Sequence, residues 1–292
     1  MNNPRWVDSK DCRKELPILA ATKPRSISLV LMDPPYFIDG MGDDWNKQKL
    51  QKRVKKGVVG GIPAGQKFDP AQGRKLQTYL TPIASQLLTI MKPGAFALCF
   101  SQARLAHRTA IAFEDAGFEI RDLLAWQYEG QAKASKMHYH IQRKNLTPDE
   151  KTDWIKSVGN RKTPQVKPQM ETIVLAQVPK DGDCTENWIR HRTGLIDMEN
   201  PVINPDRCPG QLIPVPKPRE RHNHMTPKPV ELLRHLIRLF SDNEQGTTVL
   251  DPFAGTGSTG VASRLEGRDF IGFEIDEETA IAANQRIEEV KI

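Results

Sequence analysis

The sequence predicts an α/β protein built on a doubly wound, mainly parallel sheet that is permuted and carries an inserted region. Three observations carry this. An apolar run of strand length, Ile27–Met32, ends abruptly in Asp33-Pro34-Pro35-Tyr36. A second run, 247–250, enters a glycine turn, Asp251-Pro252-Phe253-Ala254-Gly255-Thr256-Gly257, which opens a helix reaching Glu266 and stopped by Gly267. Only 32 of the 292 residues follow Gly260, room for the rest of that helix, a strand over 270–273 and a last helix from Glu277 to Val290. A doubly wound sheet needs more strands than these, so the others must precede the glycine turn.

In chain order, strand 27–32 stops because neither proline has an amide hydrogen to donate and Pro34 pushes Asp33 away from helix. A carboxylate, a carbonyl and an aromatic face are then held on one stiff turn. Such a turn can accept both hydrogens of an exocyclic amine while the tyrosine stacks on its ring. The plain alternative is a Pro-Pro turn with an unrelated tyrosine. Residues 46–75 carry nine Lys and Arg against Asp69, around a glycine-rich centre at 57–65, which predicts a mobile basic loop. Then come a helix over 76–90, a turn at Lys92-Pro93-Gly94, and a buried strand over 95–100. A helix over 104–116 closed by Gly117 and a strand over 118–128 follow. From 131 to 170, nine Lys and Arg oppose three acids and alternate with His138, Tyr139, His140 and Trp154. A strand over 170–178 and a six-proline connector over 201–218 lead to the next helix. Thr226 is its expected N-cap, Pro227 its first residue, and Leu232, Leu233, Leu236, Ile237 and Phe240 its apolar face.

Gly255, Gly257 and Gly260 also satisfy G-x-G-x-x-G, and Glu274 ends the next strand, where an acid grips ribose hydroxyls. An NAD-type dinucleotide site is therefore one reading. No lysine follows the glycines, as a phosphate-binding P-loop requires. The late position of the turn points instead to another nucleoside cofactor. Ligands sit at the carboxyl ends of such strands, which brings residues 33–36 and 255–257 to one crevice.

These motifs resemble those of the S-adenosylmethionine-dependent DNA amino-methyltransferases, in the beta-class order with the catalytic motif first. Asp33-Pro34-Pro35-Tyr36 is similar to the family's D-P-P-Y, and the 251–257 turn to its D-P-F-x-G-x-G. His224-Met225-Thr226-Pro227-Lys228-Pro229 resembles H-P-T-x-K-P, with Met225 in place of proline. Asp11-Cys12 resembles G-D-C, with Lys10 in place of glycine. The likeness spans residues 5–130 and 222–290 and implies a sheet of the Rossmann-like methyltransferase type. It also implies S-adenosyl-L-methionine as cofactor, held by Asp11, Cys12, His224, Thr226, Lys228, Asp251, Phe253, Ala254, Gly255, Thr256, Gly257 and Glu274. Asp33, Pro34, Pro35 and Tyr36 become the catalytic turn, acting on a base flipped out of the duplex. In the family, aspartate at the first motif position goes mostly with adenine and serine with cytosine. Asp33 thus implies methylation of adenine N6, with cytosine N4 as the alternative and RNA as a further one.

Charge distribution agrees with a polyanionic partner. The chain carries net charge +6, and its two basic runs supply candidate DNA contacts. These are Lys52, Arg53, Lys55 and Lys56 in the first run, and Lys133, Lys136, Arg143 and Lys144 in the second. The bland reading of either run is a solvated face. The expected division is a catalytic part over 1–130, a target-recognition insertion with connector over 131–221, and a cofactor-binding part over 222–292. Double-stranded DNA is the expected partner, with a homodimer and a cognate restriction enzyme as further candidates. No apolar stretch approaches the ~20 residues of a membrane span. The opening residues lack the apolar core of a signal peptide. Cysteines 12, 99, 184 and 208 are scattered singly, so no metal site is expected. A cytoplasmic protein of bacterial or phage origin follows. Two other classes remain: an oxidoreductase, which leaves residues 33–36 without a role, and a non-catalytic nucleic-acid binder, which has no need of both Asp33 and Tyr36.

Overall fold

The computed structural model describes residues 6–35, 71–132, 134–199, 201–217 and 227–291. The amino-terminal half contains β1 (Val7–Ser9), α1 (Cys12–Thr22), β2 (Ile27–Met32), α2 (Gln72–Ile90), β3 (Met91–Ser101), α3 (Ala106–Asp115) and β4 (Glu119–Gln127). Two short helices, α4 (Met137–Gln142) and α5 (Pro148–Val158), precede β5 (Met170–Gln177), α6 (Cys184–His191) and β6 (Leu212–Pro214). The chain closes with α7 (Val230–Phe240), β7 (Thr248–Asp251), α8 (Ser258–Leu265), β8 (Asp269–Glu274) and α9 (Glu277–Glu288). The strands form an eight-stranded sheet in the order β1-β8-β7-β2-β3-β5-β4-β6. Its neighbours are parallel except β5, which runs against both β3 and β4.

Alternation along the strands sorts the core into two layers. On β2, Leu29 and Leu31 pack with α7, α8 and α9, while Ile27, Val30 and Met32 pack with α1, α2 and α3. On β3, Phe96, Leu98 and Phe100 join the first layer and Ala95, Ala97 and Cys99 the second. A strand buried on both faces reads as a continuous apolar run, which is why 27–32 stands out in the sequence. Each fully buried side chain of this size contributes roughly 2 kcal/mol.

From β2 the chain proceeds through α2 to β3 on one side, while from β7 it proceeds through α8 to β8 on the other. The sheet therefore reverses its winding between β2 and β7. In such sheets the crevice outside the carboxyl ends at the reversal receives the ligand.

Several boundaries differ from expectation, each for a local reason. Helix α7 begins at Val230 with Pro229 as N-cap, not at Pro227, because the proline after Lys228 holds that residue out of helical space. Thr226 lies outside the described residues. Helix α2 starts at Gln72, so Arg74 and Lys75 are helical rather than part of a loop. The turn Lys92-Pro93-Gly94 is a bulge within β3, since pairing jumps from Ile27↔Met91 to Leu29↔Phe96. Asn187 Nδ2 donates to the Pro93 carbonyl at 3.2 Å and Gln177 Nε2 to the Gly94 carbonyl at 3.0 Å, holding the bulge in place.

The expected insertion and connector, 131–221, does not stand apart from the sheet. It supplies interior strand β5 and, from the proline-rich stretch, β6 beside β4. Pro214 is tolerated there because β6 is an edge strand. What leaves the sheet is the excursion between β4 and β5, clamped at its base by the Tyr128 amide donating to the Gln169 carbonyl at 2.9 Å. Among the described residues, no helix is long and apolar enough to cross a membrane.

Candidate active site

The carboxyl edge of the sheet gathers the candidate functional residues by strand geometry alone. Asp33 follows β2, and Asp251 ends β7, its immediate neighbour. Glu274 ends β8, which lies next to β7, and Asp11 stands just beyond β1 at the rim.

The glycine turn is organised from inside by Asp251. Its Oδ1 accepts from the Phe253 amide at 2.9 Å and its Oδ2 from the Thr259 hydroxyl at 2.6 Å. Burial pushes this carboxyl up to about 7, only partly offset by those hydrogen bonds. Ala254 ties the turn to β8 by donating to the Phe273 carbonyl at 2.9 Å. Glu274 accepts the Gly255 amide at Oε2 and the Asp276 amide at Oε1, both at 3.0 Å. Each carboxylate oxygen retains a second lone pair, which a ribose hydroxyl can use.

The two glycines do different work. Gly257 adopts φ +75° as the N-cap of α8, and a Cβ there would meet Ala283 Cβ at 3.0 Å. Gly255 adopts φ +50°, but a Cβ would meet nothing nearer than the Phe253 carbonyl oxygen at 3.9 Å. One glycine permits close packing against α9, and the other keeps open space in front of the turn. An open turn with an acid at the next strand end fits a nucleoside cofactor. Arg286 of α9, absent from the motifs read in the sequence, braces this turn through the Thr256 carbonyl at 3.1 Å and Ser258 Oγ at 2.9 Å.

A second wall comes from α1 and α2. Asp11 caps α1 and pairs with Arg13 at 2.6 Å, and the guanidinium holds its carboxyl below the usual range. Arg13 lies 5.8 Å from the Tyr79 ring centroid, and Tyr79 stands 6.3 Å from the half-buried Phe253 ring. Cys12 faces the other way, into the core beneath β2, where burial pushes its thiol up to about 12. Its side chain thus belongs to the core, not the crevice.

Lys228, expected at the cofactor, pairs with Asp33 of the Asp-Pro-Pro turn. Its ammonium donates to Asp33 Oδ2 at 2.5 Å and pairs with Glu171 Oε1 at 3.0 Å. Burial alone would lower its pKa, yet the two carboxylates more than offset this and the net shift is upward. Pro34 is buried and Pro35 half-buried beside Asp33. Glu171 belongs to no motif read in the sequence, although an acid opening an expected apolar strand is a usable signal.

Tyr36, His224 and Thr226 lie outside the described residues, as do Lys52, Arg53, Lys55, Lys56 and Lys133. Lys136, Arg143 and Lys144 are exposed around α4, on the excursion that also exposes Tyr139 and Trp154. Among the described residues, no three His, Cys, Asp or Glu side chains gather in a way that could hold a metal.

Comparison with known proteins agrees with this geometry. Residues 27–285 match the N6/N4 methyltransferase family, described as DNA methylase. The Type II methyltransferase M.HindIII of Haemophilus influenzae is 29% identical over 278 residues, covering 85% of each chain. The DNA adenine methyltransferase YhdJ of Escherichia coli is 40% identical over 176 residues, which are 55% of this chain and 50% of its own. The crystal structure of the M1.HpyAVI complex with S-adenosylmethionine shares the fold, with a TM-score of 0.53 at 16% identity over 96% of this chain and 98% of that one. The chain belongs to the N6/N4 DNA methylase family, the S-adenosylmethionine-dependent DNA amino-methyltransferases.

Proposed function

We propose that this methyltransferase modifies the N6 amino group of adenine in double-stranded DNA. The observation that carries the reading is the meeting of Asp33 with the open glycine turn and Glu274 at neighbouring strand ends. Asp33 and the Pro34 carbonyl accept the two amine hydrogens and orient the nitrogen lone pair. Acceptors held in advance stabilise the positive charge that grows on that nitrogen. Gly255, Phe253, Glu274 and Asp11 hold the cofactor. When bound, S-adenosyl-L-methionine supplies the electrophilic methyl group. The base must leave the stack to reach this turn, with Tyr36 as its stacking partner.

Adenine is favoured over cytosine by an aspartate, not a serine, at position 33 and by the likeness to a relative named as a DNA adenine methyltransferase. The excursion between β4 and β5, with its exposed cations and aromatics, is the proposed target-recognition unit. The test is to methylate duplex DNA with the purified protein, digest it to nucleosides and measure them by mass spectrometry. N6-methyladenine is expected, and N4-methylcytosine in its place would overturn the choice of base.

A further inference from the structure

Glu171 stands outside the motifs at the site. It lies on β5, which runs against its neighbours, so the start of that strand lies at the carboxyl edge of β3 and β4. That antiparallel course brings an acid from far along the chain to the catalytic turn. Glu171 Oε1 lies 3.0 Å from Lys228 Nζ, which also donates to Asp33 Oδ2 at 2.5 Å. The lysine side chain is 9% exposed, against 17% for Glu171 and 30% for Asp33. The cation is thus the most sunken member, and Asp33 is the one nearest solvent. Phe100 adds an aromatic face 5.0 Å from Nζ.

We propose that Glu171 is a positioning residue for methyl transfer, holding Lys228 so that Asp33 is fixed in place and the ammonium charge is shared between two carboxylates. This rests on the reading of Asp33 as the acceptor of the amine hydrogens. A lone Lys228–Asp33 pair would be electrically neutral and a poor stabiliser of the positive charge developing on the nitrogen. A second carboxylate shares the ammonium hydrogens and draws the cation away from Asp33, so that more of the Asp33 carboxylate's field reaches the amine. In a partly buried setting that field is screened less than in water. Holding the ammonium from two sides also restricts its motion, so Asp33 is oriented before the base arrives, and preorganised acceptors are the effective ones.

The test compares wild type with Glu171→Gln, Glu171→Asp and Asp33→Ala, using S-adenosylmethionine and a DNA duplex. Three quantities are read: kcat at saturation, cofactor Kd by calorimetry, and Tm. Glu171→Gln should keep Kd within about twofold while kcat falls about tenfold or more, with Tm lowered, because a buried ammonium loses one carboxylate, but the fold retained. Glu171→Asp keeps the charge and should recover part of the loss. Wild-type kcat in Glu171→Gln would overturn the proposal. So would loss of cofactor affinity in step with kcat, or an aspartate variant as slow as the glutamine one. Asp33→Ala separates the two levels, because it removes the acceptor altogether. Turnover in that variant would remove the reading of Asp33 itself, whereas an inactive Asp33→Ala beside a fully active Glu171→Gln would remove only the role of Glu171.

Discussion

Replacing each turn glycine by alanine separates the folding role of the cradle from its ligand role. At Gly257 a Cβ collides with Ala283 Cβ at 3.0 Å and with its Cα and carbonyl oxygen at 3.2 Å, all at φ +75°. The left-handed conformation costs about 1–2 kcal/mol for a residue with a Cβ. Overpacking adds about 1–3 kcal/mol. Gly257→Ala should therefore lose about 2–5 kcal/mol of stability in urea denaturation. At Gly255 the conformational term is similar, but the added methyl meets only open space. Part of that term is offset by the stiffer unfolded chain, leaving a net loss of about 1 kcal/mol. The open space is where the cofactor is proposed to lie, so Gly255→Ala should weaken S-adenosylmethionine binding by about tenfold or more, some 1.4 kcal/mol. Calorimetric titration of both variants, with denaturation of the same samples, reads the two effects side by side. Wild-type affinity in Gly255→Ala would refute the pocket, and full stability in Gly257→Ala would refute the packing argument.

Three further predictions address stability and DNA binding. The Glu266 side chain, 3% exposed, pairs with Arg234 at 2.7 Å and Arg238 at 2.8 Å; because both arginine side chains are one-third exposed, Glu266→Gln should lose about 3 kcal/mol in thermal unfolding, the low end for a buried pair, and a loss under about 1 kcal/mol would contradict this. Asp251 rises from 3.8 to about 7 in the fold, so the folded state holds its proton more tightly and stability falls as pH rises between those values, then levels off. Asp251→Asn should flatten that fall, by up to about 1.4 kcal/mol per pH unit, and an unchanged slope in urea titrations across this window would exclude the assignment. Changing Lys136, Arg143 and Lys144 together to alanine should weaken DNA binding and reduce the log K against log salt slope by about 0.9 for each phosphate that is no longer neutralised, whereas an unchanged slope would place the recognition surface elsewhere.

Legibility in the sequence depends on how local the signal is. Strand β2 and the β7–α8–β8 unit are readable because strands buried on both faces are unbroken apolar runs and their ends are marked by proline or glycine. Strands β1 and β6 are three residues each, too short for any periodicity to register. The six prolines around β6 argue for a connector, yet an edge strand can carry them. Helix α1 is hidden by the motif-like pair Asp11 and Cys12, although Asp11 is also an ordinary N-cap, accepting the Arg13 amide. Placement at the carboxyl edge of the sheet is legible where strand order alone suffices, as for Asp33, Gly255 and Glu274. The partner of Lys228 is not, because its ion pair spans 195 positions. Glu171 depends on the reversed direction of one strand, which no short-range pattern encodes.

In the proposed mechanism the target amine and the cofactor occupy one crevice but are held by different residues. The most direct measurement is transfer of labelled methyl to DNA by Asp33→Ala, with S-adenosylmethionine affinity determined on the same preparation. Transfer should be abolished while cofactor Kd stays within about twofold of wild type. Appreciable turnover in Asp33→Ala, or a collapse of cofactor affinity, would contradict it.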